Sequence, residues 1–500
     1  MRGTSRSFKY SLMFLLVIAS LTWNGWAQKT TAGREESATD PVPKSYFPRP
    51  FPVESQVEKK REEKPSEPAP SSIFRTLPSE GYSQEPDRRP LPRGVAEPAR
   101  DRGKKDPKID IPPHFTTSRE RTGTSPVLSA EDMEVAGNAW KYFEYNYLPE
   151  TGMVNPVYHY SRGTIWDVGS ILAAFVAAEQ LGLIGAGEFK QKMDRVLKTL
   201  LSIELYNNEL PNREYDWRTG GMRDIHSEPS RRGSGWSALD LGRLLIWLKI
   251  IESWYPDYAQ ATENIVKRWK FERACQNHEL NGVLADGSKE HLRQEGRLGY
   301  EQYAAAGYAL WSKDVSEALA LDHIKWIDLN GEKIPVDERC YPYLTSEPFF
   351  LARIELGNMD RAFSDVVDAI YRVQKKRWQS TGILTAVSED AVNLLPWFVY
   401  NCIYYEGSPW TTVAHNGKPC PDLRNLSTKA AFAWSAIFDD DYSKALRKRV
   451  SSLVDPVSGY LGGVYETHPA GINRSRNVNT NAVILESMLY LQRGKKPFIR

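Results

Sequence analysis

Cysteine is scarce: the 500 residues hold four, Cys275, Cys340, Cys402 and Cys420, at separations that match no zinc-binding spacing. In an oxidising compartment they allow at most two disulfides, with Cys402 and Cys420 the first pair to test; buried free thiols are the other outcome. The eight histidines are scattered, with no two at ligand spacing on one helix, so neither a metal nor a cofactor is expected, although loop carboxylates leave a calcium ion open. Net charge is also lacking. With 65 Lys and Arg against 63 Asp and Glu, the chain carries +2 and offers no long-range reason to expect nucleic acid or an anionic membrane as partner. There is no HExxH pair, no GxSxG elbow and no P-loop, and GTIWDVGS is too loose for a dinucleotide fingerprint.

Long apolar runs are missing as well, apart from Leu12 to Leu21, which follows Arg2, Arg6 and Lys9 and precedes Gly25 and Ala27. That pattern reads as an export signal over residues 1–27, placing the protein in the periplasm or outside the cell; an uncleaved anchor is the alternative. The run is shorter than the roughly 20 residues a membrane helix needs, so no stable span is expected once the signal is cut. No cysteine follows it to carry a lipid. Residues 28–125 contain half of the 32 prolines, no tryptophan and mixed-charge runs such as EKKREEKPSEPAP. Such a segment buries too little apolar surface to fold and is expected to be a disordered linker.

Residues 126–500 hold all but two of the 15 tryptophans and suit one large domain, expected to act as a monomer. Two kinds of helical segment alternate there. One is amphipathic: EFKQKMDRVLKTLLSIEL sets Phe189, Met193, Val196, Leu197, Leu200 and Leu201 on one stripe, and NMDRAFSDVVDAIYRV and DDYSKALRKRVSSLV look alike. The other is small, apolar and aromatic nearly all round, as in DVGSILAAFVAAEQLGLI, GWSALDLGRLLIWLKII, YEQYAAAGYALW, EPFFLARIEL, DAVNLLPWFVYNCIYY and NAVILESMLYL. About six alternations of a half-wet with a fully buried helix predict an all-α (α/α)6 toroid, an inner ring wrapped by an outer one, with short β-hairpins in its loops. A helical solenoid is the weaker alternative.

The loops before the buried helices are long and rich in aromatics, amides and carboxylates; those after them are short. A closed ring would gather the long loops at one end. Asp167, Asp216, Glu301, Glu347, Glu389 and Asp390 stand at or just before buried helices, accompanied by Trp166, Trp217, Trp236, Tyr300, Trp410 and His159. Each acid has a plain role available as a helix cap. In TSEPFFLARIELG, Thr345 or Ser346 caps, Pro348 suits the first turn, and Glu347 complements the dipole. Each aromatic, likewise, can fill the core of a large ring. Taken together, rings that lie against sugar faces and carboxylates that bond hydroxyls point to an oligo- or polysaccharide. Glycosidic hydrolysis needs two carboxyl groups, one to donate a proton and one to act as base or nucleophile. Glu347 and Glu301 are the expected donors; Asp167, Glu389 and Asp390 are candidates for base, water positioning or substrate binding.

The set TIWDVGSILAAFVAAEQLGLI, GYEQYAAAGYALW, TSEPFFLARIELG, AVSEDAV with SPWTT, LSTKAAFAW, and GGVYE followed by NTNAVILE resembles a bacterial domain-of-unknown-function family of exported proteins. That family is similar to glycoamylase-like toroids, which include beta-1,2-glucanases and domains of cyclic glucan synthases. The resemblance spans residues 126–495. It implies an (α/α)6 toroid acting on a glucan or envelope polysaccharide as a glycoside hydrolase or transglycosylase, and its carry-over rests chiefly on Asp167 and the helix around it. Two other classes stay open. A non-catalytic glycan-binding or scaffolding protein of the envelope would bind without cutting, and a polysaccharide lyase would use Tyr160 or His159 with an arginine.

Overall fold

The computed structural model describes residues 128–337, 339 and 343–499. The expected signal and linker, residues 1–27 and 28–125, lie outside the described residues. Outer and inner helices alternate along the chain: α1 (Ala130–Tyr145) precedes α2 (Ile165–Gln180), α3 (Ala186–Ser202) precedes α4 (Ala238–Trp254), and α5 (Ala259–Lys267) precedes α6 (Tyr300–Ala309). In the fourth pair a β-hairpin, Ile324–Leu329 with Glu332–Asp337, stands where the outer helix would be; the inner helix α7 (Glu347–Leu351) then continues as a π turn, Ala352–Leu356. Helix α8 (Arg361–Thr381) precedes α9 (Thr428–Ile437), and α10 (Asp441–Val450) precedes α11 (Val478–Gln492).

The inner helices pack side by side in the order α2, α4, α6, α7, α9, α11, and α11 returns to α2, so the ring closes. Composition explains who is inside. Fourteen consecutive residues of α2, Ile165 to Ala178, are buried, whereas α3 buries only the stripe formed by Phe189, Lys192, Met193, Val196, Leu197 and Leu200. Small residues set the inner spacing. A Cβ on Gly242 of α4 would lie 2.4 Å from Ala304 Cα of α6, so Gly242→Ala would overpack this contact and cost about 1–3 kcal/mol. Among the described residues no helix is long and apolar enough to cross a membrane.

The toroid is present, but the expected all-α content is not: among the described residues 22 strands accompany the helices. Four three-stranded antiparallel sheets occupy the loops on the inner-helix N-terminal side. Three of them contain a strand that runs into an inner helix: Arg162–Thr164 into α2, Gly235–Trp236 into α4, and Asn425–Ser427 into α9. Strands of two to six residues are too short for alternation to register against the helical pattern, and so most of these segments read as loops, while DAVNLLPWFVYNCIYY, expected as a buried helix, instead supplies the strand Phe398–Asn401 between Glu389–Ala391 and Thr412–Val413. Their effect is to anchor the first turns of the inner helices.

Candidate active site

The first turn of each of the six inner helices includes a buried charged or amide side chain, Asp167, Asp240, Glu301, Glu347, Lys429 and Asn479 in order, each 5 % exposed or less. Three of them meet across the ring. The Glu347 carboxylate accepts from the Lys429 ammonium, from Asn479 Nδ2 at 2.7 Å and from Ser388 Oγ at 3.2 Å. Ser346 occupies the cap position of α7, yet its hydroxyl donates to Gln374 Oε1 at 3.2 Å and makes no cap bond, so the expected capping role is not realised. Asp390 stands beside this group, accepting from Ser427 Oγ at 2.8 Å and Asn401 Nδ2 at 3.2 Å. Burial pushes the Asp390 carboxyl up to about 6, with the nearby Glu347 charge adding to the rise and Lys429 opposing it.

Glu301 opens the neighbouring helix. It accepts from Gln294 Nε2 at 2.8 Å and pairs with Arg339 at 2.6 Å, and Arg339 is itself held by Asp337 at 2.8 Å. Burial raises its carboxyl to about 7 in spite of Arg339. The starts of α6 and α7 touch through Gly299, whose φ of +88° suits glycine and whose added Cβ would sit 2.7 Å from Phe349 and 2.8 Å from Pro348.

A small cavity at the same end of the ring is lined by Trp166, Asp240, Glu295, Arg297, Tyr300 and Glu389 among others. Glu389 pairs with Arg297 at 3.2 Å, and the Arg297 guanidinium lies 5.0 Å from the Tyr300 ring centre. Trp166 packs edge-on to Tyr300 at 5.6 Å, with the Arg243 guanidinium 5.1 Å from its ring. Deeper in the ring Arg243 pairs with Glu355 at 3.0 Å and Glu486 at 2.8 Å, and Tyr303 donates to Glu355 at 2.6 Å. Burial pushes the Glu486 carboxyl well above the usual range, and the neighbouring Glu355 adds to the rise.

Other expected site residues are elsewhere or otherwise engaged. Asp167 accepts from its own N-cap, Thr164 N at 2.8 Å and Oγ1 at 3.2 Å, as a capping box. Asp216 accepts from Ser161 Oγ at 2.8 Å and pairs with Arg223. Partial burial works against its charge, but these hydrogen bonds and Arg223 leave its carboxyl below the usual range. Trp217 and Trp236 are fully buried: Trp217 stacks on Tyr215 at 4.9 Å, and Trp236 donates to Asn281 O at 3.0 Å. They are core residues beneath the sheets, not sugar platforms. Trp410 is half-buried at φ +54°, with Arg377 5.0 Å from its ring. Tyr160 is buried, whereas His159 is exposed at φ +61°. The described cysteines, Cys275, Cys402 and Cys420, are free, so the Cys402–Cys420 bridge is not formed. Cys402 Sγ donates to Tyr400 O and Cys420 Sγ to Lys418 O, both at 3.5 Å.

Sequence reasoning missed Asp240, Glu295, Arg297, Lys429 and Asn479. Asp240 follows Ser237 at the spacing by which Asp167 follows Thr164, and the Ser237 hydroxyl accepts from its backbone N–H at 3.2 Å, so the pattern that found one could have found the other. Glu295 accepts from Ala238 N at 2.6 Å and Arg213 Nη2 at 2.7 Å, which makes it a cap supplied to α4 from a distant segment.

Solved structures share the architecture. A candidate glucoamylase from Bacteroides caccae has 11 % identity and a TM-score of 0.55, covering 73 % of this chain and 95 % of that one. An endo-beta-1,2-glucanase from Chitinophaga pinensis, in complex with sophorotriose and glucose, has 12 % identity and a TM-score of 0.54, covering 74 % and 94 %. A beta-1,2-glucanase from Parabacteroides distasonis has 12 % identity and a TM-score of 0.51, covering 73 % and 57 %. At such identities the likeness establishes the (α/α)6 toroid. No curated protein matches the sequence. The family model described as "Protein of unknown function (DUF3131)" matches residues 134–494, and the chain belongs to that family.

Proposed function

We propose that this protein is an exported, glucan-active glycoside hydrolase or transglycosylase, working from the inner-helix N-terminal end of the ring. The observation that carries the reading is that two adjoining inner helices each open on a buried carboxyl group, Glu301 on one and Glu347 on the next. Glu301, raised to about 7, is suited to hold a proton near neutral pH, while Glu347 and Asp390 share Lys429 next door. In the reaction Glu301 donates its proton to the glycosidic oxygen as the bond to the anomeric carbon breaks. The Glu347–Asp390 pair takes the proton from the attacking water, or from an acceptor hydroxyl in transfer. The similar proteins named as beta-1,2-glucanases support a glucan as substrate.

The test is release of reducing ends, or transfer products, from beta-1,2-, beta-1,3- and beta-1,4-glucans by the full chain. Activity on one of them is expected, falling by about 10²–10⁴ in Glu301→Gln and Glu347→Gln proteins that retain their helical spectrum. Saturable binding of a glucan with no products after long incubation would favour the non-catalytic envelope protein instead. Export is read separately, by cell fractionation and sequencing of the mature N-terminus.

A further inference from the structure

We infer that Tyr145 and His159 form an outer saccharide-stacking site on the rim of the ring, taking a neutral sugar unit of the glucan chain on which the protein is proposed to act. The inference rests on the glucan reading above and extends it to chain length. Tyr145 ends outer helix α1, so it lies at the end where outer helices run back into inner ones, and it is 46 % exposed. Its ring is stacked on Tyr158, with centroids 5.3 Å apart and planes 16° from parallel. Tyr158 in turn has the Arg476 guanidinium 3.6 Å from its centroid. Arg476 is pinned by Ser458 Oγ at 2.5 Å and Asp455 at 3.3 Å.

The result is a braced aromatic surface with no uncompensated charge. His159 sits against it, 5.5 Å from Tyr145 and 4.0 Å from Tyr158. It is held in the left-handed region, where a non-glycine residue is strained, with its backbone N–H donating to Asn146 Oδ1 at 3.3 Å. Burial and the Arg476 charge lower its imidazole below the ordinary value, which keeps it neutral at pH 7. A neutral imidazole offers one donor and one acceptor to sugar hydroxyls, beside a ring that can take a pyranose face.

The platform is tied through the backbone to the helix that carries Asn479. Tyr158 N donates to Arg476 O at 3.0 Å and Val478 N to Pro156 O at 2.8 Å, so the loop carrying His159 is laced to the first turn of α11. One residue beyond Val478, Asn479 donates to Glu347. The rim stack and the Glu347 network are therefore joined through the start of α11.

The experiment compares Tyr145→Ala, Tyr145→Trp and His159→Ala full-length proteins for binding to polymeric beta-1,2-glucan and to sophorose by calorimetry, alongside product release. Expected is a five- to tenfold weaker Kd for the polymer in Tyr145→Ala, retention in Tyr145→Trp, and a smaller loss for the disaccharide. Wild-type affinity for the polymer in folded Tyr145→Ala, with the parent protein binding or cutting glucan normally, overturns the rim site alone. Failure of the parent protein to bind or cut any glucan overturns both the rim site and the glucan reading.

Discussion

Lys429 donates to Glu347 across the ring, from a helix 82 residues further along the chain, and both side chains are buried, at 3 % and 0 % exposure. Breaking a buried pair from one side leaves a charge without a partner, so Lys429→Met should destabilise the protein by about 3–5 kcal/mol in urea unfolding. Glu347→Gln combined with Lys429→Met should recover part of that loss, because the stranded carboxylate is then gone. Equal stabilities for the single and double variants would show that the pair is not coupled.

Glu301 links stability to pH. Its carboxyl is raised to about 7 in the folded state against an ordinary 4.5, so the folded protein holds a proton that the unfolded chain releases. Its contribution is fully present below pH 4.5 and is lost as pH rises through 7. The amount is about 3 kcal/mol. Glu301→Gln should reduce the stability difference between pH 4 and pH 8 by roughly that much relative to wild type. As the proton donor, Glu301 should also make kcat/KM fall above pH 7. A Glu301→Gln protein whose stability keeps the wild-type pH dependence would contradict this.

Asp167 should behave as a cap. Asp167→Ala removes the acceptor for Thr164 and is expected to cost about 1 kcal/mol of stability. Asp167→Asn keeps an acceptor oxygen and should stay within a few-fold of wild-type glucan turnover, unlike the changes at Glu301 and Glu347. A loss of several hundredfold in Asp167→Asn would return Asp167 to the catalytic group.

The thiols at Cys402 and Cys420 should react with a maleimide once the unreduced protein is denatured, and mass mapping should find both labelled. Burial raises the Cys402 thiol well above its ordinary range, so labelling of the native protein should be slow there.

The ring was legible because the two helix types differ in a way periodicity can see: α2 is apolar over 14 buried residues, and α3 is apolar on one stripe. Glu301 and Glu347 were also legible as carboxylates opening apolar helices. What could not be read was pairing. Lys429 in LSTKAAFAW looks like a solvated residue on an otherwise small, apolar helix, and nothing local indicates that its partner is Glu347. Trp217 and Trp236 looked like loop platforms because the strands that bury them are two or three residues long. The capping of Asp167 and the demands of chemistry produce the same letters at the same spacing. Only the partners distinguish them.

The last inner helix, α11, supplies Asn479 to Glu347 and Glu486 to Arg243, and it closes the ring against α2. A chain emerging from the ribosome therefore leaves the ring open and the Glu347 and Arg243 networks incomplete until α11 is released and docks. Assembly of these networks and closure of the fold are one event, and a fragment truncated before residue 478 would lack Asn479 and Glu486 however well its earlier helices pair.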